Sequence, residues 1–199
     1  MGNGFGATVE RHRGYAAPVD VSVDIGDSRI AFESRVLGEL AHISKRLDSL
    51  IGEVGRLKGR SLEERVRAQP AHFLRGLVSG AQVVELQDVL ARLAPGALGE
   101  PDVASLERAD MIAEGTLRHD GARVVQIVVE ISWRLDRHDV ARAFDRAKLL
   151  ATGTGRPCLP AVIADDAPEA TVIAIAAELG VAVINGDGIV IESGRVVNP

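Results

Sequence analysis

Residues 124–144, VVQIVVEISWRLDRHDVARAF, pass from a β-run into a helical pattern, and an acidic residue, Glu130, stands close to the junction. Between Val124 and Ser132 the β-branched residues dominate. Alternation there puts Gln126, Val128, Glu130 and Ser132 on one face and Ile127, Val129 and Ile131 on the other. From Asp136 the period changes. Val140, Ala143, Phe144, Ala147 and Leu150 fall on one stripe of a helix expected over 136–151. A strand that feeds a helix directly is the unit of an α/β fold.

The neighbouring segments extend that unit on both sides. Upstream, ADMIAEGTL (109–117) reads as a strand and RHDG (118–121) as its turn, so 109–132 is expected to be a hairpin. Downstream, GTGRP (153–157) breaks the helix, and CLPAVIA (158–164) is a buried strand. PEATVIAIAAELG (168–180) is a helix with Pro168 early and Gly180 just past its end. VAVI (181–184) is another strand, and IVIE (189–192) lies between two turns as an edge strand. GTGR follows a helix and precedes a strand, the reverse of the order that wraps amides around a phosphate, so it reads as a helix C-cap.

The first third of the chain has a different character. Residues 1–17 are Gly-rich without a period and are expected to form a flexible arm. Val19, Val21, Val23 and Ile25 then alternate with polar residues, which predicts an N-terminal strand segment over 18–32. From Val36 the apolar residues Leu40, Ile43, Leu47, Leu50, Val54 and Leu57 follow at alternating steps of 4 and 3. This heptad seam predicts a coiled-coil helix over 33–59 and a homo-oligomer formed through residues 36–57, with Glu39, Arg46 and Glu53 flanking the seam. After Gly59, Ser61 and Glu64 have capping-box spacing, Pro70 would kink or split the next helix, and AQVVELQDVLARL (81–93) reads as a further helix ended by APGALGEP (94–101).

Composition narrows the function classes. Hydrophobic residues make up 46% and charged ones 26%, a globular balance, while 3% aromatics point to a core of Val, Ile, Leu and Ala. A net charge of -5 provides no overall attraction to a polyanion, so a nucleic-acid partner needs a local basic patch. The single cysteine, Cys158, cannot form an intrachain disulfide, and the sequence lacks a run of about 18 apolar residues, so a cytoplasmic protein without a membrane segment is expected.

Asp110, at the start of its strand, and Glu130, near the end of the antiparallel neighbour, are the acids that the hairpin could bring together. Two converging carboxylates suit a hard cation such as Mg²⁺. Taken singly, Asp110 also suits a strand-edge cap, and Glu130 a strand-end residue salt-bridged to an arginine. Glu64 is a candidate third acid. His119 and His138 lack metal-ligand spacing.

The order helix, hairpin with Asp110, strand with Glu130, helix, strand resembles the core of the PD-(D/E)XK nuclease superfamily. The match is carried by Asp110 in ERADMIAEG and Glu130 in VVEIS. From about residue 36 to 184 it also resembles a bacterial group of uncharacterised proteins in which a coiled coil precedes such a domain. The resemblance implies a restriction-endonuclease-like mixed sheet flanked by helices over 60–199. It also implies a catalytic set of Asp110, Glu130 and Ser132, with Mg²⁺ on Asp110 and Glu130. Where that family has a lysine, this chain has Ser132, and a hydroxyl cannot supply the cation that stabilises charge on a phosphate. Arg134 and Lys148 are the replacement cations considered from sequence. The functions in view are a metal-dependent phosphodiesterase acting on DNA, a degenerate relative that uses the same fold to bind nucleic acid or a protein, and a catalytically inactive coiled-coil oligomerisation and protein-interaction module.

Overall fold

The computed structural model describes residues 25–121 and 123–199. The chain divides into two compact units, 1–47 and 48–199. One long helix, α1 (Ile25–Ala68), carries residues of both units, and the second unit holds every other element.

The expected arm and residues 18–24 of the expected strand lie outside the described residues. From Ile25 the chain is helical, which corrects the strand expected to continue to residue 32. Alternation stops at Ile25, and the polar and small residues that follow carry no period-2 signal to hold a strand. Ser61 does not cap a new helix, because α1 runs through Gly59 and ends only at Ala68, ahead of Pro70. The burial of Leu62 and Val66 explains that continuity, since both anchor the last turns in the core and outweigh the helical cost of one glycine.

After the short α2 (Pro70–Leu74), the stretch expected to be wholly helical splits. Val78–Val83 is strand β1 and Leu86–Leu90 is helix α3. Pairing of β1 with β2 (Met111–Leu117) overrides the weak local helical pattern, with Val78 opposite Leu117 and Val83 opposite Ala113. The tail of the expected breaker begins helix α4 (Glu100–Leu106), with Pro101 in its first turn.

The remaining elements follow the sequence reading. Strand β3 (Val124–Ser132) returns antiparallel to β2, with Met111 opposite Val129. Helix α5 (Arg137–Thr154) crosses over to β4 (Cys158–Ala164), which lies parallel to β3 with Glu130 opposite Val162. Helix α6 (Ala170–Leu179), β5 (Ala182–Asn185) and β6 (Val190–Glu192) complete a six-stranded mixed sheet in the order β1-β2-β3-β4-β5-β6. Gly155 and Gly180 end α5 and α6 in the left-handed conformation, as C-cap residues do.

The sheet separates two apolar layers. Leu62, Val66, Phe73 and Leu74 pack against Met111, Ala113, Ile127 and Val129 on one face. On the other face, Ala147, Leu150 and Ala151 of α5 pack against Ile112 and Val128. Glu130 has the parity of Val128, so it points into the α5 layer. Among the described residues no helix is long and apolar enough to cross a membrane.

Candidate functional site

The acids expected to converge meet at the C-terminal end of β3. The antiparallel register that sets Met111 opposite Val129 brings Asp110 level with Glu130. Asp110 Oδ2 accepts a 2.7 Å hydrogen bond from the backbone N–H of Ile131, which ties the strand start of β2 to the strand end of β3. Glu130 feels the charge of Asp110, and Asp110 feels that of Glu63 on α1. The helix therefore contributes an acid, but it is Glu63 rather than the exposed Glu64.

Glu130 is 2% exposed, and its oxygens are held by cations from α5. Arg146 donates to Oε1 and is itself 6% exposed, while Arg142 Nε donates to Oε2 at 3.2 Å. Arg142 and Arg146 are four residues apart on α5 and so lie on one face, turned toward the sheet. Arg142 also pairs with Asp139, whose Oδ2 accepts the Asp136 N–H at 3.0 Å in the reciprocal capping arrangement at the start of α5. Arg146 Nε is buried without an acceptor among the described residues.

Neither cation proposed from sequence reaches this site. Arg134 pairs at 3.1 Å with Glu169, both being well exposed, and Lys148 sits 5.6 Å from the Phe144 ring. Ser132 turns its hydroxyl back on the chain, donating at 2.8 Å to the Arg134 carbonyl. The residues that meet Glu130 are the ones sequence reasoning passed over. Their signal was the i, i+4 spacing of two arginines on the face of α5 that also carries Ala143, Ala147 and Leu150.

Burial raises the Glu130 carboxyl above its ordinary range, against the hydrogen bond from Arg146 and with the Asp110 charge adding to the rise. Asp110 is likewise raised by burial, partly offset by the Ile131 N–H and reinforced by Glu63. Arg67 braces this corner from α1. It bonds Glu63 at 3.1 Å and donates to the Asp110 carbonyl. A cleft of about 170 Å³ opens beside Asp110, lined also by Arg67, Glu85 and Glu107. That volume accepts an ion with a few waters and is too small for a nucleotide.

A hard cation takes oxygen ligands with free lone pairs. As placed, Glu130 has both oxygens in guanidinium hydrogen bonds, and Asp110 has one oxygen in a backbone bond. Among the described residues no group of three or more His, Cys, Asp or Glu side chains is arranged to hold a metal ion. The thiol of Cys158 is fully buried and burial pushes it up to about 12, so it packs as core instead of acting as a nucleophile. Comparison with known proteins finds no matching family model, no matching curated protein and no matching solved structure.

Proposed function

We propose that residues 60–199 form a restriction-endonuclease-like domain that binds a nucleic acid backbone without cutting it, and that α1 holds the domain in more than one copy. The observation that carries this reading is the capture of both Glu130 oxygens by Arg142 and Arg146. A carboxylate so committed maintains the junction of β3 and α5, and it is not free to bind a cation or take a proton from water. The element order of helix, antiparallel hairpin, crossover helix and parallel strand supports the fold part of the proposal.

The surroundings supply the chemistry for a polyanion. Lys58, Arg67, Arg134 and Arg142 border the end of β3, and the half-buried Trp133 lies among them with the Lys58 ammonium 3.9 Å from its ring centre. Cations beside a half-buried aromatic ring suit phosphates and a stacked base. Salt-sensitive binding is the expected signature.

A second reading, hydrolysis, is favoured by one observation. Asp110 and Glu130 are both raised, chiefly by burial, with the Asp110 charge adding to the rise at Glu130, and such acids concentrate at active sites. One experiment separates the readings. Fluorescence anisotropy of a labelled oligonucleotide is measured at low and physiological salt, beside a plasmid nicking assay with Mg²⁺ and with Mn²⁺ on wild type and Glu130→Ala. Salt-dependent binding without nicking is the expected result. Nicking that disappears in Glu130→Ala overturns it in favour of hydrolysis. Neither binding nor nicking leaves the protein-interaction module.

A further inference from the structure

The seam residues Val36, Leu40, Ile43, Leu47, Leu50, Val54 and Leu57 are all exposed on the single chain, between 39% and 65%. Resting on the reading that α1 self-associates, we propose that its occupant is a second copy of the same helix running antiparallel in one fixed register. In that register Leu40 packs on Leu57 of the second copy, Ile43 on Val54 and Leu47 on Leu50. Three layers on each side of the axis then join side chains of like shape, two of leucine pairs flanking one of β-branched pairs, and Val36 falls opposite Ser61 at the end of the seam.

The charges select this arrangement. The residues immediately before Leu40, Leu47, Val54 and Ser61 are Glu39, Arg46, Glu53 and Arg60, so the sign alternates along one flank of the seam. In an antiparallel pair this flank meets its own counterpart. The register above sets Glu39 against Arg60 of the second copy and Arg46 against Glu53, and symmetry repeats both pairs. A slip of one heptad in either direction sets glutamate against glutamate and arginine against arginine. Register is therefore specified by repulsion in the alternatives as well as by attraction in the chosen one.

A parallel pair makes no such use of the alternation. It would place this flank against the opposite one, where Glu39 meets Ser44 of the second copy, Arg46 meets Ile51 and Glu53 meets Lys58. The Lys58 ammonium is already over the Trp133 ring at 3.9 Å. None of Glu39, Arg46, Glu53 and Arg60 forms an ion pair within the described residues, so all four remain available to a second copy. The two-fold axis falls between Asp48 and Ser49. At the helical rise per residue the Glu63 positions of the two copies then lie about 40 Å apart, so the two copies present their proposed nucleic-acid surfaces separately.

A charge swap in the full chain tests the orientation, read as the dimer dissociation constant by sedimentation equilibrium. Arg46→Glu is expected to weaken the dimer about tenfold or more, by facing Glu53 of the second copy with a like charge, and Arg46→Glu combined with Glu53→Arg is expected to restore it. A nitroxide on Ser34→Cys gives an independent reading, with a separation of about 40 Å expected in the antiparallel dimer and about 20 Å or less in a parallel one. A dimeric wild type with a short label distance, or a double variant that fails to recover, overturns the antiparallel register and leaves self-association standing. A monomeric wild type overturns self-association itself.

Discussion

Arg146 and Glu130 form an ion pair in which both residues are nearly inaccessible, 6% and 2% exposed, and the pair joins the crossover helix α5 to the strand it has just left. Two charges taken out of water repay their desolvation only through good mutual geometry. Arg142 adds a second donor to the same carboxylate, and its own link to Asp139 ties the arrangement to the first turn of α5.

Removing one partner of this pair strands the other. Arg146→Ala is expected to destabilise the domain by about 3 kcal/mol, the lower end for a broken buried pair because Arg142 still reaches Glu130. Arg146→Met combined with Glu130→Leu removes both charges and keeps much of the volume, so it is expected to recover most of that loss. Urea unfolding of the three proteins checks it. A double variant no more stable than Arg146→Ala would mean the charges themselves hold this junction.

The same pair marks where sequence stopped being informative. Strand β3, helix α5, β4, α6 and β5 were legible because their apolar residues repeat at the period of the element they form. The helical pattern at 81–93 misled because Val83 and Val84 serve a strand edge, and strand pairing with β2 is a tertiary fact absent from the local pattern. Asp110 and Glu130 could be found because their strand positions follow from a hairpin. Arg142 and Arg146 were missed because charged residues on a helix are usually solvated, and only packing reveals that this face of α5 lies on the sheet. Glu63 replaced Glu64 for a related reason. The uninterrupted α1 fixes which of two adjacent acids turns inward.

The raised acids give stability an acid-side preference. A carboxyl whose folded pKa exceeds its unfolded value adds stability that is complete below the unfolded value and is lost as pH rises through the folded one. Asp110 and Glu130 both have that sign, through burial. Asp110→Asn keeps an oxygen for the Ile131 N–H and removes one ionisation. Its melting temperature is therefore expected to gain on wild type as pH is raised from 4 to 7, by a few degrees. A variant that loses ground over that interval would mean the ionised Asp110 is stabilised in the folded protein.

Asp136 works in the opposite sense. Burial pushes its carboxyl up, but the N–H groups of Asp139 and His138 more than reverse this and hold it below its ordinary range. Its contribution is thus complete above the unfolded pKa and fades as pH falls through the lowered folded value. Asp136 Oδ1 accepts those N–H groups at 3.0 and 2.7 Å as the N-cap of α5. Asp136→Ala is expected to cost about 1 kcal/mol at neutral pH, as loss of a cap does. The difference from wild type is expected to shrink below about pH 4, near the ordinary aspartate value. Thermal melts across pH 3 to 7 check both parts, and a loss that is constant with pH would assign the effect to packing instead of the charged cap.

Helix α1 can be strengthened without touching its apolar seam. Gly38 and Gly52 lie in helical backbone, neither has a positive φ, and a Cβ at either would meet nothing within 4 Å. Alanine there removes the backbone entropy that glycine loses on becoming helical, worth up to about 1 kcal/mol at each position. Both positions lie on the side of the helix away from Leu40, Leu47 and Val54, so the added methyls leave the seam unchanged. Gly38→Ala with Gly52→Ala is therefore expected to raise the α1 helicity of dilute protein by circular dichroism. Because the helix is then better formed before a second copy arrives, the proposed dimer is also expected to form at lower concentration. Unchanged helicity would show that α1 is already fully helical in the separate chain, and higher helicity with an unchanged dissociation constant would show that its ordering does not limit association.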